Sequence, residues 1–429
     1  MPQTWFTRLV LGVGIGLAAF GGTPSHATTL QEAIDQGALS PSTAAARHAS
    51  DAAKAERFAS FMAAWGVVAK VDANTVRRDE GVQLDLGAPP ELAFLGSIPI
   101  VPPNRTNLNA RVFAPLVRPE AAAQFTVATQ QARAAKHRAV WATIVGGLAA
   151  ANAWLDVHRV RALQRAAEAN LASLRATEAD LRARHAAQLI VQSDVLRVEV
   201  AVLGAEQELA RLETELRLTE QALGAAMGRD EPVRPADELP TLNVPEPGEA
   251  PRADLLAADA RLESARRSRR VAIAGALPSV EVFGGFAVID QPNVINGEFF
   301  EVGVLASWTP FASGARLARR RAAGSRYAAA KADREQLGRN VSLEQERARS
   351  TVALRAELLE LRRAAVTQAQ TAQQQLSARA RQGLATVTDV LSVQAELYRV
   401  QSELEVAHVE YARAIVQYRA ALGTLAPDF

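Results

Sequence analysis

Apolar positions along this chain follow two periods, and each period occurs twice. Large apolar residues fall at steps of seven in the C-terminal part: Val390, Leu397, Leu404, Tyr411, Tyr418 and Leu425. Three residues after each of the first five come Val393, Val400, Ala407, Ala414 and Ala421. The first half repeats the series with Val195, Val202, Leu209, Leu216 and Leu223, accompanied by Val198, Ala205, Leu212, Thr219 and Ala226. A heptad seam with one large and one small side predicts closely packed helices. Before each seam lies a proline-free stretch, Glu120 to Arg184 and Arg316 to Gln382. A helix of that length spans about 100 Å at the helical rise per residue. Each half thus predicts one very long helix, a turn near Gln188 or Gly383, and an antiparallel return helix.

The second period is two. Val280, Val282, Gly284, Phe286 and Val288 alternate with Ser279 and Glu281; after a turn-rich segment, Phe300, Val302, Val304, Ala306 and Trp308 alternate with Glu301, Gly303 and Ser307. In the first half, Val67, Ala69, Val71 and Ala73 alternate with Val68, Lys70, Asp72 and Asn74. A long loop carrying Pro89-Pro90 and Pro102-Pro103 follows, and then Leu108, Ala110, Val112 and Ala114 alternate with Asn107, Asn109, Arg111 and Phe113. Strands of about 9–11 residues with one apolar face fit a membrane β-barrel. The predicted strands run over about 67–77, 106–116, 279–289 and 299–309.

The halves are copies at one offset. Pro115 and Pro310 lie 195 positions apart, as do Lys136 and Lys331, the Asp194-Val195-Leu196 and Asp389-Val390-Leu391 triplets, and Gly228 and Gly423. A fixed offset marks an internal repeat. The same offset sets Val304 against Asn109, so a bulge or a one-residue slip is expected before the proline, Pro115. Between the copies, Pro232, Pro235, Pro240, Pro245, Pro247 and Pro251 forbid a continuous helix. The expected organisation is a first repeat over 28–228, a proline-rich linker over 229–251 and a second repeat over 252–429. Each repeat holds a helix, two strands and a long helical hairpin.

Residues 1–27 read as a secretory signal. Arg8 precedes the apolar run Leu9 to Phe20, and small residues lead to Ser25-His26-Ala27. The run is shorter than the ~20 residues that cross a bilayer. The uncharged stretch Ala139 to Leu155 is rich in Ala and Gly, and reads as a packed part of a long helix, with a membrane span as the alternative.

Composition narrows the chemistry. With 48 Lys and Arg against 46 Asp and Glu, the net charge of +2 gives no reason to expect nucleic acid as a partner. The chain has no cysteine, hence no disulfide, thiolate metal site or cysteine nucleophile. The six histidines, His26, His48, His137, His158, His185 and His408, are scattered, and no Gly-x-Ser-x-Gly elbow occurs. No enzyme, cofactor or metal site is expected. The acids fall mostly among arginines at helical spacing, the pattern of exposed ion pairs.

Four strands cannot close a barrel around a pore, and an open edge in lipid leaves backbone groups unpaired. Several chains must therefore share one barrel. Three would give twelve strands, with the long helices aligned as a second tube and the heptad seams between neighbours.

The chain resembles the outer-membrane efflux protein (TolC) family. The resemblance rests on the duplication and on two stretches. One runs from Arg252-Ala253-Asp254-Leu255 to Ala276-Leu277-Pro278-Ser279; the other runs from Arg381-Gln382-Gly383-Leu384 through Asp389-Val390-Leu391 to Leu422-Gly423. It implies a mainly helical fold with membrane β-structure. In it, duplicated long hairpins form a periplasmic α-barrel, and a homotrimer shares a 12-strand outer-membrane β-barrel. The implied function is a passive exit duct in the outer membrane of a Gram-negative-type bacterium. Its implied partners are outer-membrane lipid, a periplasmic adaptor (membrane fusion protein) and an inner-membrane transporter of a tripartite efflux or secretion complex. Gly383-Leu384 matches the family's tip element for adaptor docking, and of its counterpart Gln188-Leu189 only Leu189 carries over. Asp194 and Asp389 match tip acids near the constriction, where rings of carboxylates attract cations. As Ser193-Asp194 and Thr388-Asp389 they also fit helix N-caps. Ala380 and Ala385 stand where the family has aromatic and arginine gate partners. Arg182, Arg184, Arg379 and Arg381 nearby read as solvated helix charge. The competing reading is a soluble periplasmic coiled-coil adaptor, which needs a β-rich insert between its helices. Arg266-Arg267, Arg269-Arg270 and Arg319-Arg320-Arg321 flank one strand pair, as a solvated helix face or as cations near lipid headgroups. Trp65, Phe283, Phe299, Phe300 and Trp308 are candidates for interfacial aromatic girdles.

Overall fold

A computed structural model of the chain describes residues 28–77, 79, 82–85, 97–101, 104–248, 251–290, 297–310, 314–382 and 384–425. The expected signal segment and the tip residue Gly383 lie outside these residues.

The first helix is brief and well capped. Thr29 accepts from the Glu32 backbone, and Glu32 accepts in return from Thr29, a reciprocal capping box at the start of α1 (Leu30–Leu39). Ser40 is extended and Pro41 opens α2 (Pro41–Trp65), so the helix expected before the first strand is two helices. After β1 (Val68–Arg77), the proline-containing loop of the sequence reading holds a second small hairpin, β2 (Val82–Asp85) with β3 (Ser97–Val101). β4 (Asn104–Val117) leads into α3 (Pro119–Ala186), which is 68 residues long, and α4 (Gln192–Ala226) returns along it. The second copy comprises α5 (Ala253–Ala274), β5 (Ser279–Asp290), β6 (Glu298–Ser307), α6 (Ala315–Arg381, 67 residues) and α7 (Val387–Leu422).

The main sheet has the order β1-β4-β5-β6 and is antiparallel throughout. Its β4–β5 ladder shifts between Pro115 and Val117. One extra residue there reverses the side on which every earlier residue of β4 lies. The irregularity lies just after Pro115, whereas the mismatch of Val304 with Asn109 had placed it before the proline.

The helices form one layer below the sheet. α3 packs against α2 and α5 near the sheet, and against α4 and α7 farther along; α6 packs first on α5 and then on α7. The order across the layer is therefore α2-α3-α5-α6, then α4-α3-α7-α6. The heptad residues Val195, Val198, Val202, Leu212 and Leu223 are buried inside the chain, against α3 and α7. The seam is thus filled within one protomer and is not left for a neighbour. Large apolar residues that stay exposed include Leu196, Val200, Leu203 and Leu218 on α4, and Leu317, Leu343, Leu354 and Leu361 on α6.

The uncharged stretch of α3 is apolar enough to pass for a membrane span. Instead, Ile144, Ala150, Ala151, Trp154 and Leu155 are buried with Leu30, Ala33 and Ile34 of α1. The contact depends on glycine: a Cβ on Gly146 would stand 2.6 Å from the Gly37 carbonyl oxygen, and one on Gly37 would stand 2.5 Å from Ala150 Cβ. The linker is strapped to this core. Trp154 Nε1 donates to the Thr28 carbonyl at 2.9 Å, and Arg161 donates to Pro235 O at 2.9 Å and to Glu220 at 3.1 Å. Arg252, 5% exposed, closes the second copy. It bonds Asp254 at 2.7 Å, Glu344 at 2.8 Å and Ala421 O at 3.1 Å, and lies 4.3 Å from the centre of the Trp141 ring.

Candidate functional site

The sheet has two chemically distinct faces. Following the register, Val71, Ala110, Phe286 and Phe300 form one row, and Ala69, Val112, Gly284 and Val302 the next. Ala114, Val282 and Val304 extend this face. It is apolar and open, with Phe300 84% and Val302 85% exposed. Rows on the other face carry Lys70, Arg111, Gly285 and Glu301, then Asp72, Asn109, Ala287 and Phe299. Arg111 pairs with Glu301 two strands away. Gly285 makes that reach possible, because a Cβ there would lie 2.7 Å from Arg111 Cγ. Phe113 stacks with Phe283 at 5.9 Å, and Phe283 covers Gly303. Phe283 and Phe299 thus belong to the polar face and not to an outer girdle, while Phe300 lies on the apolar face.

Both outer strands, β1 and β6, have one unpaired edge among the described residues. The same two sides are open in the helical layer: α2 and α4 on the β1 side, α6 on the β6 side. Sheet and helices therefore end at matching boundaries, each bearing exposed apolar residues.

The far ends of the hairpins hold the sequence-derived tip residues. Gln188 adopts a left-handed backbone conformation (φ 58°), and Leu189 beside it is 73% exposed. Leu384, its copy at the 195-residue offset, is 72% exposed. The two tips lie side by side. Val387 and Leu391 of α7 pack on Leu181, Val195 and Val198, and Arg197 donates to Thr388 Oγ1 at 2.7 Å. Farther up, the buried Gln394 donates to Ser173 Oγ at 2.7 Å.

The two tip acids differ. Thr386 is the N-cap of α7: it accepts from the Asp389 backbone at 3.2 Å, while Asp389 accepts from the Thr386 backbone at 3.0 Å and from its hydroxyl at 2.7 Å. The hydroxyl bond, then the backbone bond, holds the Asp389 carboxyl below its usual range. At α4 the N-cap is Val191, which has no side-chain acceptor, and Asp194 makes no capping bond. The caps therefore fall three residues before the acids and not on Ser193-Asp194 or Thr388-Asp389. Of the nearby arginines, Arg182 pairs with Glu178 and Glu199, and Arg184 pairs with Asp180.

Two features escaped the sequence reading. One is the Arg252 cluster, whose partners lie 92 and 169 residues away. The other is His158, stacked 3.9 Å from Trp154 in a cavity of about 420 Å³ between α3, α6, α7 and the linker. Burial, then Arg161 and Arg165, pushes its pKa down to about 4, and its Nε2 has no hydrogen-bond partner among the described residues.

Residues 249–424 match the family model described as outer membrane efflux protein. No curated protein matches the chain by sequence. Among solved structures, the outer membrane protein VceC of Vibrio cholerae is similar with a TM-score of 0.78 and 21% identity, over 92% of this chain and 96% of that one. The CmeC outer membrane channel of Campylobacter jejuni is similar with a TM-score of 0.75 and 12% identity, over 99% and 94%. The open state of the MtrE outer membrane channel of Neisseria gonorrhoeae gives 0.75 and 16%, over 92% and 89%. At these identities the likeness is one of fold.

Proposed function

We infer that this chain, which carries an outer membrane efflux protein domain over residues 249–424 and has the fold of outer membrane channels along nearly its whole length, is the outer-membrane exit duct of a tripartite efflux or secretion complex. The observation that carries this reading is the pair of matching open boundaries. The β1, α2 and α4 side of one copy meets the β6 and α6 side of the next. Such a head-to-tail contact generates a ring. Three copies close twelve strands, wide enough for a polar interior. The apolar sheet face then meets lipid, and the Lys70, Asp72, Arg111 and Glu301 face lines the pore.

The duct does no chemistry in this reading, and an inner-membrane transporter supplies the energy. The exposed tip leucines, Leu189 and Leu384, are the docking points for a periplasmic adaptor. Gly383, which lies outside the described residues, belongs to the same docking element. Asp194 and Asp389, repeated around the ring, form the constriction. A soluble adaptor is disfavoured, because the hairpins close over residues 187–191 and 382–386, leaving no room for a β-rich insert.

The native absence of cysteine makes the test clean. Cysteine pairs combining outward positions of β1 (Ala69, Val71, Ala73) with those of β6 (Val302, Val304, Ala306) are screened for disulfides in cells. Covalent trimers from at least one pair are expected. Monomer bands from every pair would overturn the reading.

A further inference from the structure

The periplasmic end of the sheet continues into a helical face that changes character with depth. Trp308, just past β6 and 62% exposed, donates its indole N–H to the Ala276 carbonyl at 3.1 Å. That bond ties the end of β6 to the turn after α5. The turn exposes Leu277, and α5 exposes Ile273, followed by Arg269 and Arg270 one turn below. On α6, Leu317 is succeeded by Arg320 and Arg321 at the same helical spacing. Arg269 lies 5.6 Å from the Tyr327 ring centre, which places the two helices' cations on one shared face. Among the described residues no carboxylate lies within ion-pair distance of Arg269, Arg270, Arg320 or Arg321; Glu263 bridges Arg266 and Arg267 and reaches Arg270 only through its longer-range field.

Apolar residues beside a tryptophan, with unpaired guanidinium groups roughly 5–10 Å farther out, match the profile of a bilayer boundary. The apolar stems reach acyl chain and the cations reach phosphate. Guanidinium binds phosphate oxygens through paired N–H donors, and the preference for an anionic over a zwitterionic headgroup comes from net charge, since both carry the phosphate. We propose that this α5–α6 face is a binding site for the headgroups of anionic glycerophospholipids in the periplasm-facing leaflet of the outer membrane. The proposal rests on the exit-duct reading, because it needs the sheet to sit in lipid.

The experiment is native mass spectrometry of the detergent-purified protein titrated with phosphatidylglycerol or phosphatidylcholine. The wild type is compared with R269Q/R270Q/R320Q and with the charge-retaining R269K/R270K/R320K. Selective retention of phosphatidylglycerol by wild type is expected. Its affinity should fall on the order of 100-fold in the Gln variant, from about fivefold per cation, and the Lys variant should recover most of it. Inorganic phosphate at equal concentration should not displace the lipid. Equal retention of both lipids by wild type, unchanged affinity in the Gln variant, or displacement by phosphate would each overturn the proposal. Trimer mass and channel activity of the Gln variant in neutral lipid are read in parallel. Their persistence with the affinity lost supports the site, and a wild type that enters no bilayer refutes the duct itself.

Discussion

His158 is a neutral imidazole that the fold has buried against Trp154, with 4% of its surface exposed. Its folded pKa is pushed down to about 4 from an ordinary 6.5. The unfolded chain therefore takes up the proton first as pH falls. Stability contributed here is complete above about pH 6.5 and declines toward pH 4, by at most about 3 kcal/mol. His158→Phe keeps a ring on Trp154 and removes the titration, so the fall of Tm between those pH values should flatten. An unchanged slope would assign the pH dependence elsewhere. Arg252 should be costlier to lose. Arg252→Met strands the largely buried Asp254, releases the half-exposed Glu344 to solvent and leaves the Ala421 carbonyl with Gln345 alone; removing the partner of a largely buried carboxylate costs about 3 kcal/mol. Chemical denaturation should show that loss, whereas less than about 1 kcal/mol would mean the cluster is solvated. Gly146→Val should also destabilise, by about 1–3 kcal/mol, since its added atoms meet Thr43 and the Gly37 backbone. None of these sites was legible in the sequence, because their partners come from distant segments and no local pattern marks them.

At the scale of elements, the long hairpins and paired strands were readable because their periods are unbroken over many residues. Val280 to Val288 alternates cleanly, and β5 spans Ser279–Asp290. The β2–β3 hairpin was not readable, since four- and five-residue strands with Pro99 inside carry almost no periodic signal. The heptad seams were legible as seams, but their partners were not. Periodicity tells which face is apolar and says nothing of whether α3 or another chain covers it. The cap of α7 falls two residues before Thr388, because Thr386 and Thr388 are equivalent by type and only backbone conformation separates them; that of α4 falls two before Ser193, on Val191. That placement sharpens the tip proposal. Asp389 sits in the capping box and Asp194 does not. If the acids act through the constriction, Asp194→Ala and Asp389→Ala should lower cation preference alike in single-channel recordings. If they act only through the helix ends, Asp389→Ala alone should soften the tip, seen as faster hydrogen exchange over 387–391. Leu189→Asp and Leu384→Asp should abolish cross-linking to the adaptor while leaving trimer mass unchanged; retained cross-linking would remove both leucines from the docking surface.

For the whole molecule, the decisive property is incompleteness. A single chain presents an apolar sheet face, two unpaired strand edges and two apolar helix edges at the same boundaries. In the exit-duct reading these edges lie in lipid, where each exposed backbone group costs several kcal/mol, so that reading requires more than one chain. The need for partners followed from the strand count in the sequence; which helices form the boundary followed only from the packing order. The most direct test is the mass of the purified protein in detergent together with its conductance in planar bilayers. The account predicts a trimer with small, flickering conductance, as of a duct held nearly closed at its tips. A monomer that never inserts would contradict it.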